Sequence, residues 1–176
     1  CEHLLCYFDQ ETMEKMTIGD KIDVRSQGQG MKLIDHPDIL LRNMSPELLE
    51  KMNIEEKDGK LKVGVAKIVP ACIMGSGLGA STSYYGDYDI TLHDKKITEE
   101  YGLQNLRFGD IVAITDADTR FGRNFMTGAM TIGVVVHSDC ILAGHGPGVT
   151  TLMTCKTPLI EVFIDENANL HDYFVR

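Results

Sequence analysis

The sequence lacks the segments that mark membrane and exported proteins. Its longest apolar run, TIGVVVHS, has the length of a strand and is interrupted by His137, whereas a membrane-spanning helix needs about 20 apolar residues. The first residues contain an early acid and no basic region, which is not the pattern of a signal peptide. We therefore expect a cytoplasmic protein without a membrane partner.

Basic residues are scarce as well. The chain has 17 lysines and arginines against 26 aspartates and glutamates, and its formal net charge is −9. An acidic chain repels a phosphate backbone, and no cluster of basic residues opposes that repulsion. The composition argues against nucleic acid as a partner.

Paired cysteines are absent. The five cysteines are scattered and no two of them form a CxxC motif, which leaves no support for a zinc ribbon or a thioredoxin-type site. We interpret the four internal cysteines as reduced side chains that pack as small apolar groups, as a reducing cytoplasm allows.

No methionine precedes Cys1, the first residue of the sequence. A terminal cysteine holds a thiol beside a free α-amine, so that one group can activate the other. Trimming, nicking and self-cleavage before Cys1 are the three alternatives. Self-cleavage would leave either a nucleophilic cysteine or a pyruvoyl group derived from it.

Helical periodicity is scarce, and strand periodicity is abundant. In KLKVGVAKIVPACIM, for example, Leu61, Val63 and Val65 alternate with other residues, as in a strand that buries one face. Turn-forming residues separate such stretches. We predict strands in six stretches: DKIDVRS, KLKVGVAKIVPACIM, GDIVAITD, MTIGVVVHSD, VTTLMTC and PLIEVFID.

Two or three short helices complete the predicted elements. SPELLEKMNI has Ser45 as an N-cap and Pro46 at the first helical position. TEEYGLQNL has Thr98 as its expected cap, and DQETMEKM is the third candidate. The expected fold class is mainly β (α+β), an antiparallel, barrel-like domain. No repeat or linker divides it, so residues 1–176 are expected to form a single domain.

A glycine-rich stretch, IMGSGLGASTSYYGDYD, follows a predicted strand. Its glycines allow close backbone approach and offer amides to an anion. GSGLGA matches the outline of a dinucleotide fingerprint, but no amphipathic helix follows, so we reject that match. A ligand-binding loop and a plain tight turn both remain open.

A second candidate loop is ITDADTRFGRNF. In extended backbone Asp116, Asp118 and Arg120 point to one face, where they could hold a substrate carboxylate or a catalytic water. The alternative is a hairpin tip held by its own salt bridges.

The third candidate loop is HSDCILAGHGPGVTTL. His137 ends a predicted strand and His145 lies among the glycines of GHGPG, so the two side chains could converge. A metal site with His3 can be imagined, yet no HxH or HExxH spacing supports it. We predict no cofactor, with a divalent metal or a pyruvoyl group from Cys1 as alternatives.

Two further stretches belong to the prediction. QGQGMKLIDHPDI is either a loop that borders the same site or an exposed turn. In CEHLLCYF both alternating sets of side chains are largely apolar, which predicts an internal strand over residues 3–8.

Several of these stretches resemble an uncharacterised prokaryotic family, domain of unknown function 4438. The resemblance covers nearly the whole chain and is carried by GDKIDVRSQGQGMKL, MGSGLGA, GAMTIGVVVHSD, AGHGPGVT and the opening CEH. It implies a β-rich, barrel-like fold, cyclophilin-like in kind, and a longer gene product of which this chain is the C-terminal part. It implies no activity.

The leading functional hypothesis is an enzyme that hydrolyses an amide-type C–N bond in a small polar metabolite. Cys1 is the expected nucleophile, with its own amine, His3 or His145 as the base and Asp116 as a further catalytic residue. The expected substrate-binding residues include oxyanion donors from the two glycine-rich loops; they are Arg120, Ser76, Gly77, Gly79, His137, Gly146 and Gly148.

Two rival functions stay open. One is a pyruvoyl-dependent lyase or reductase subunit, and the other is a non-catalytic barrel that binds a small ligand. The expected partners are a small molecule, the N-terminal segment of the same gene product as a second chain, and further copies in a homo-oligomer.

Overall fold

The computed structural model describes residues 6, 8–75, 84–92, 94–138 and 146–175. The elements run in the order α1 (Gln10–Lys15), β1 (Leu40–Leu41), α2 (Pro46–Lys51), β2 (Ile54–Lys57), β3 (Lys60–Val65), β4 (Lys67–Pro70), β5 (Tyr88–Asp89), α3 (Lys95–Glu100), β6 (Ile111–Asp118), β7 (Asn124–His137), β8 (Gly148–Cys155), β9 (Ile160–Ile164) and α4 (Leu170–Phe174). Single 3-10 turns cover Ala71–Ile73 and Leu103–Asn105.

The strands form two sheets. The larger sheet has the order β1-β8-β7-β6-β4, and β5 pairs with β8, while the smaller sheet has the order β2-β3-β9. The β4–β6 and β3–β9 pairs are parallel, and the other pairs are antiparallel. The predicted α+β class with short helices is confirmed, but the sheets do not close into a barrel.

The larger sheet is buried on both faces. In β6, Ile111 and Ala113 belong to one core cluster, whereas the alternate residues Val112 and Ile114 belong to a second cluster. The first core cluster also contains β3 and β9 of the smaller sheet, and it includes Ile39, Leu41, Met44 and Leu48 from the N-terminal part. Strands covered on both faces read as apolar runs, which explains why β6, β7 and β8 are visible in the sequence.

Five of the six predicted strand stretches contain strands, and the DKIDVRS strand is wrong. Residues 20–26 belong to no strand, and the side chains of Ile22 and Val24 are exposed. Alternation specifies a strand only where a neighbouring strand pairs with it and a core covers one face. In CEHLLCYF, Cys6 and Phe8 belong to no strand, and the remaining residues lie outside the described ones.

Helix boundaries follow the capping residues. The Ser45 side chain accepts a hydrogen bond from Leu48 N at 3.1 Å, as predicted for α2. The Thr98 cap is wrong: the N-cap of α3 lies four residues earlier, at Asp94, whose side chain accepts a bond from Lys96 N at 2.9 Å. Thr98 lies inside the helix and donates to the Asp94 carbonyl. An aspartate at the N-cap outcompetes a threonine that can bond backward within the helix.

None of the described helices is long and apolar enough to cross a membrane. The cytoplasmic location stays a prediction.

Candidate functional site

Three neighbouring strands bring polar side chains together at one level of the larger sheet. Gly148 at the start of β8 pairs with Asp89 of β5 on one side and with His137 of β7 on the other. Asp87 lies two residues before Asp89, which puts both carboxylates on the same face of an extended backbone. Because Gly148 has no side chain, the groups on the two flanking strands can meet above it.

We call Asp87, Asp89 and His137 the carboxylate–histidine cluster. His137 Nε2 lies 2.5 Å from Asp87 Oδ2 and 3.3 Å from Asp89 Oδ1. The side chains are 19%, 10% and 19% exposed for His137, Asp87 and Asp89, so the cluster lies below the surface. Two carboxylates at this depth concentrate negative charge where water screens it poorly.

Two glycines have no room for a side chain beside the cluster. A Cβ on Gly148 would lie 2.0 Å from Asp87 Oδ2 and 2.2 Å from His137 Nε2. A Cβ on Gly146 would lie 1.5 Å from the Ile90 carbonyl oxygen. Gly148 therefore makes space for the cluster, and Gly146 makes space for the backbone of the adjoining strand.

The backbone carbonyl of the next residue, Ser138, orients the imidazole of His137. Its Nδ1 lies 2.8 Å from the carbonyl oxygen of Ser138, which can only accept a hydrogen bond, so Nδ1 carries the proton. The other nitrogen, Nε2, is the one that faces the two carboxylates. Within the described part of the chain, Asp87 Oδ2 is buried and accepts no hydrogen bond, although Nε2 is only 2.5 Å away.

Tyr88 points to the opposite face, between the two aspartates in sequence. Its side chain is 2% exposed in the second core cluster, and burial raises the pKa of the phenol to about 12. The large apolar ring anchors β5, which is only two residues long. The alternation Asp87–Tyr88–Asp89 thus sends one anchor into the core and two carboxylates toward His137.

The ends of two predicted loops adjoin the cluster. Gly75 N donates to the Asp89 carbonyl at 2.6 Å, and the Arg123 guanidinium donates to the carbonyls of Gly75 and Ala71. Ile90 N donates to the Pro147 carbonyl at 2.8 Å. The glycine-rich stretch and the GHGPG stretch therefore both begin or end at this site.

The structure brings some of the predicted site residues together. His137 and Gly148 meet at the cluster, and Gly146 lies beside it. Six predicted residues lie outside the described ones, and their roles stay predictions: Cys1, His3, Ser76, Gly77, Gly79 and His145.

Asp116 and Arg120 have other contacts. Asp116 has a φ of 55° at the irregularity between Thr115 and Ala117, and its side chain accepts a hydrogen bond from Gly128 N at 2.8 Å. Arg120 donates to Asp118 from Nε and Nη2, and these bonds hold the pKa of that carboxyl below its usual range and raise the pKa of the guanidinium. This hairpin end of β7 is the opposite end of the strand from His137. The geometry fits the alternative of a hairpin tip with its own salt bridge.

A broad groove lies along the N-terminal part of the chain. It has a volume of about 880 Å³, and residues 24–33 and 39–45 form much of its lining together with Tyr84. Arg42 stacks over the Tyr84 ring at 4.3 Å from its centre. The QGQGMKL stretch therefore borders this groove, and no member of the carboxylate–histidine cluster lines it.

The cluster contains groups that can hold a metal ion. The candidate ligand atoms of Asp87, Asp89 and His137 all lie within 4.8 Å of one another. The sequence pattern indicates His137 but neither aspartate, because glycines dominate the stretch that precedes Asp87. The available signal was the period-two pattern Asp87–Tyr88–Asp89, in which a large aromatic residue separates two acids.

The chain is similar to a family described as a domain of unknown function and to a solved structure. A family model described as domain of unknown function (DUF4438), N-terminal, matches residues 1–50, and one described as DUF4438, C-terminal, matches residues 51–174. A solved structure described as "Crystal structure of TM1086" is 47% identical, with a TM-score of 0.86 over 95% of this chain. The chain spans 58% of the length of that protein. No curated protein matches the chain.

Proposed function

We propose that this chain, which belongs to the DUF4438 family, forms part of an enzyme that hydrolyses an amide-type C–N bond in a small polar molecule. The observation that carries the proposal is the approach of His137 Nε2 to Asp87 and Asp89, at 2.5 and 3.3 Å, above a glycine. The burial of two carboxylates costs free energy unless a cation or a hydrogen-bond donor compensates their charge. Such an arrangement is typical of a site that moves protons or binds a cation.

The proposed reaction consumes water and involves no redox step. The oxygen of water adds to the carbonyl carbon, the C–N bond breaks, and the proton that water loses is delivered to the departing nitrogen. The products are a carboxylic acid and an amine. The cluster is the proposed place where the attacking group loses its proton, and backbone amides near Gly146 are proposed to stabilise the oxyanion.

Cys1 stays a proposed nucleophile within the same reaction. A thiolate would form an acyl-enzyme with the substrate, release the amine, and be regenerated when water hydrolyses the thioester. The Cys1→Ala variant separates the two versions. Turnover that survives in this variant would leave water as the nucleophile, whereas its loss would favour the thiol.

The test is turnover of small amides, lactams and ureas by the full-length protein, followed by liquid chromatography and mass spectrometry. We expect His137→Gln to lower turnover by at least about 100-fold, the lower range for loss of a group that transfers protons. His171→Gln is the matched control, because His171 is exposed on α4. Ligand-induced thermal stabilisation without turnover of any substrate would contradict the enzyme and favour a binding protein.

A further inference from the structure

We infer that Asp87, Asp89 and His137 bind a divalent transition-metal ion, and that the ion is held above Gly148. Binding does not depend on the proposed hydrolysis; only the use of the ion to activate water rests on that proposed function. The inference starts from the sheet. Asp89, Gly148 and His137 pair at one register level of three adjacent strands, so backbone pairing fixes the Asp89 and His137 donors. Asp87 lies one residue before β5 and follows its direction.

The orientation of the His137 ring directs Nε2 toward the two carboxylates, at a place where a cation would fit. Because Nδ1 donates to the Ser138 carbonyl, a neutral imidazole presents a lone pair at Nε2. That lone pair faces Asp87 Oδ2 at 2.5 Å and Asp89 Oδ1 at 3.3 Å. Three electron-rich atoms that converge on one point repel one another, unless a positive charge lies among them.

The second observation is the bare oxygen of Asp87. The Asp87 side chain is nine-tenths buried, and its Oδ2 accepts no hydrogen bond from the residues that the structure describes. A buried carboxylate oxygen normally accepts hydrogen bonds, because it cannot otherwise replace the water that it has lost. This oxygen points at the same place as His137 Nε2. It is the atom that most requires an additional partner.

Charge balance favours a divalent ion in the cluster. Two carboxylates bring a formal charge of −2 into a site that is at least four-fifths buried. A divalent ion compensates that charge in full. Since an uncompensated buried charge is costly, an ion between the carboxylates stabilises the site.

The distances suit a small transition-metal ion. For ion–ligand distances of about 2.0–2.1 Å, two ligands in a tetrahedral arrangement lie about 3.4 Å apart. The 3.3 Å separation between His137 Nε2 and Asp89 Oδ1 already matches this geometry. The 2.5 Å separation from Asp87 Oδ2 must widen by about 0.9 Å to reach this geometry, which requires the Asp87 side chain to rotate when the ion binds.

The donor set also indicates which ions bind. One imidazole nitrogen with two carboxylate oxygens suits Zn²⁺ or Mn²⁺, whereas Mg²⁺ and Ca²⁺ prefer oxygen ligands alone. Three protein ligands leave a further position for water, as in catalytic rather than structural zinc sites. The His137 Nδ1 bond to a backbone carbonyl is the outer contact that metal-binding histidines usually make.

The experiment measures binding of ZnCl₂ and MnCl₂ by calorimetry to the full-length protein after chelator treatment, with MgCl₂ as a comparison. We expect one saturable Zn²⁺ or Mn²⁺ site and much weaker Mg²⁺ binding. Asp87→Asn and His137→Gln should each lower the zinc affinity by about 100-fold or more. Loss of a residue that only orients a metal ligand already lowers metal affinity by about 10–100-fold. Asp35→Asn and His171→Gln remove the same groups from exposed positions and should leave affinity unchanged.

The visible spectrum of the Co²⁺-loaded wild-type protein provides a readout that needs no variant. We expect a Co²⁺ spectrum typical of nitrogen and oxygen ligands, without a thiolate-to-metal band. Adventitious binding at the exposed Cys72 would instead produce such a band. Absence of a stoichiometric site, a thiolate band, or unchanged affinity in both cluster variants would overturn the inference. A protein that binds the metal at the cluster but hydrolyses no amide would instead refute the proposed function and leave the metal site intact.

Discussion

At the scale of single residues, alanine substitutions at Gly146 and Gly148 should have opposite effects, one on stability and the other on metal binding. The atoms that a Cβ on Gly148 would meet are the ends of the Asp87 and His137 side chains, which can swing away. The atom that a Cβ on Gly146 would meet is the backbone oxygen of Ile90, which cannot. Neither glycine has a φ in the left-handed region, so backbone strain does not enter.

Gly148→Ala should therefore abolish metal binding while it changes the free energy of unfolding by less than about 1 kcal/mol, since alanine is tolerated in a strand. Gly146→Ala should lower the free energy of unfolding by about 1–3 kcal/mol, the usual cost of overpacking. Urea denaturation and zinc titration of both variants check this pair. Full zinc affinity in Gly148→Ala would contradict the assigned position of the ion.

The Asp118–Arg120 pair predicts a defined pH dependence. Asp118 accepts bonds from Arg120 Nε and Nη2 at 2.9 and 2.8 Å, and these hold the pKa of Asp118 below its ordinary value. A lowered pKa in the folded state stabilises the protein at pH values above the unfolded pKa, about 3.9 for aspartate. This stabilisation is lost only as the pH falls through the folded pKa.

Asp118→Asn should lower the free energy of unfolding by about 1.5–3 kcal/mol at neutral pH, the range for hydrogen bonds to charged groups. The difference from wild type should be the same at pH 7 and at pH 5 and smaller near pH 3, as measured by urea denaturation. Asp35→Asn, on an exposed turn, should show no such difference. A difference that already narrows between pH 7 and pH 5 would show that Asp118 is not the group responsible.

At the scale of elements, a strand can be predicted from the sequence when it contains several consecutive apolar residues that enter a core. β6, β7 and β8 were predicted because each carries several consecutive apolar residues that enter a core. β5 could not be predicted, because a strand of two residues is specified by its partner β8 and by the Tyr88 anchor rather than by its own pattern. The parallel β3–β9 pair depends on contacts between residues about a hundred positions apart, which local alternation does not encode.

A buried set of hydroxyl groups joins three elements of the larger sheet. Thr131 Oγ1 of β7 donates to the Ala117 carbonyl at 2.9 Å, which leaves its lone pairs for the hydroxyls of Thr154, at 2.9 Å, and Thr119, at 3.2 Å. Thr131 is fully buried. Valine has the same shape but cannot replace these bonds, so the partner groups would be left unsatisfied.

Thr131→Val should lower the free energy of unfolding by about 1–3 kcal/mol, the cost of leaving buried polar groups unpaired. Thr127 lies on the exposed part of the same strand. The control substitution Thr127→Val should change the free energy of unfolding by no more than about 0.5 kcal/mol. Both values come from urea denaturation. Equal effects of the two substitutions would contradict a stabilising role for the hydroxyl set.

At the scale of the whole molecule, the carboxylate–histidine cluster depends on the register in which β5 and β7 pair with β8. Asp87, His137 and Gly148 meet only because β5 and β7 flank β8 at that level. The sequence shows which segments are rich in glycine, histidine and acid, and it therefore indicated His137, Gly146 and Gly148. It could not indicate that Asp87 and Asp89 complete the set, because their pairing partner lies about 60 residues further along the chain.

The division of the family into two matched regions does not coincide with a division of the core. The boundary after residue 50 falls inside α2, and the N-terminal region supplies β1, which pairs with β8. The four buried side chains of this region in the first core cluster are Ile39, Leu41, Met44 and Leu48. At about 1.5–3 kcal/mol each, they contribute roughly 6–12 kcal/mol, comparable with the total stability of a domain.

A fragment of residues 51–176 should therefore show no cooperative unfolding in urea, whereas residues 1–176 should unfold in one transition. Addition of residues 1–50 as a separate polypeptide should restore the transition, because β1 and the four apolar side chains can dock onto the exposed edge of β8 and the uncovered core. Circular dichroism and amide exchange of the β8 backbone provide the measurement. A fragment that unfolds cooperatively on its own, with slow exchange along β8, would show that the C-terminal region carries an independent core and that residues 39–48 only cover its surface.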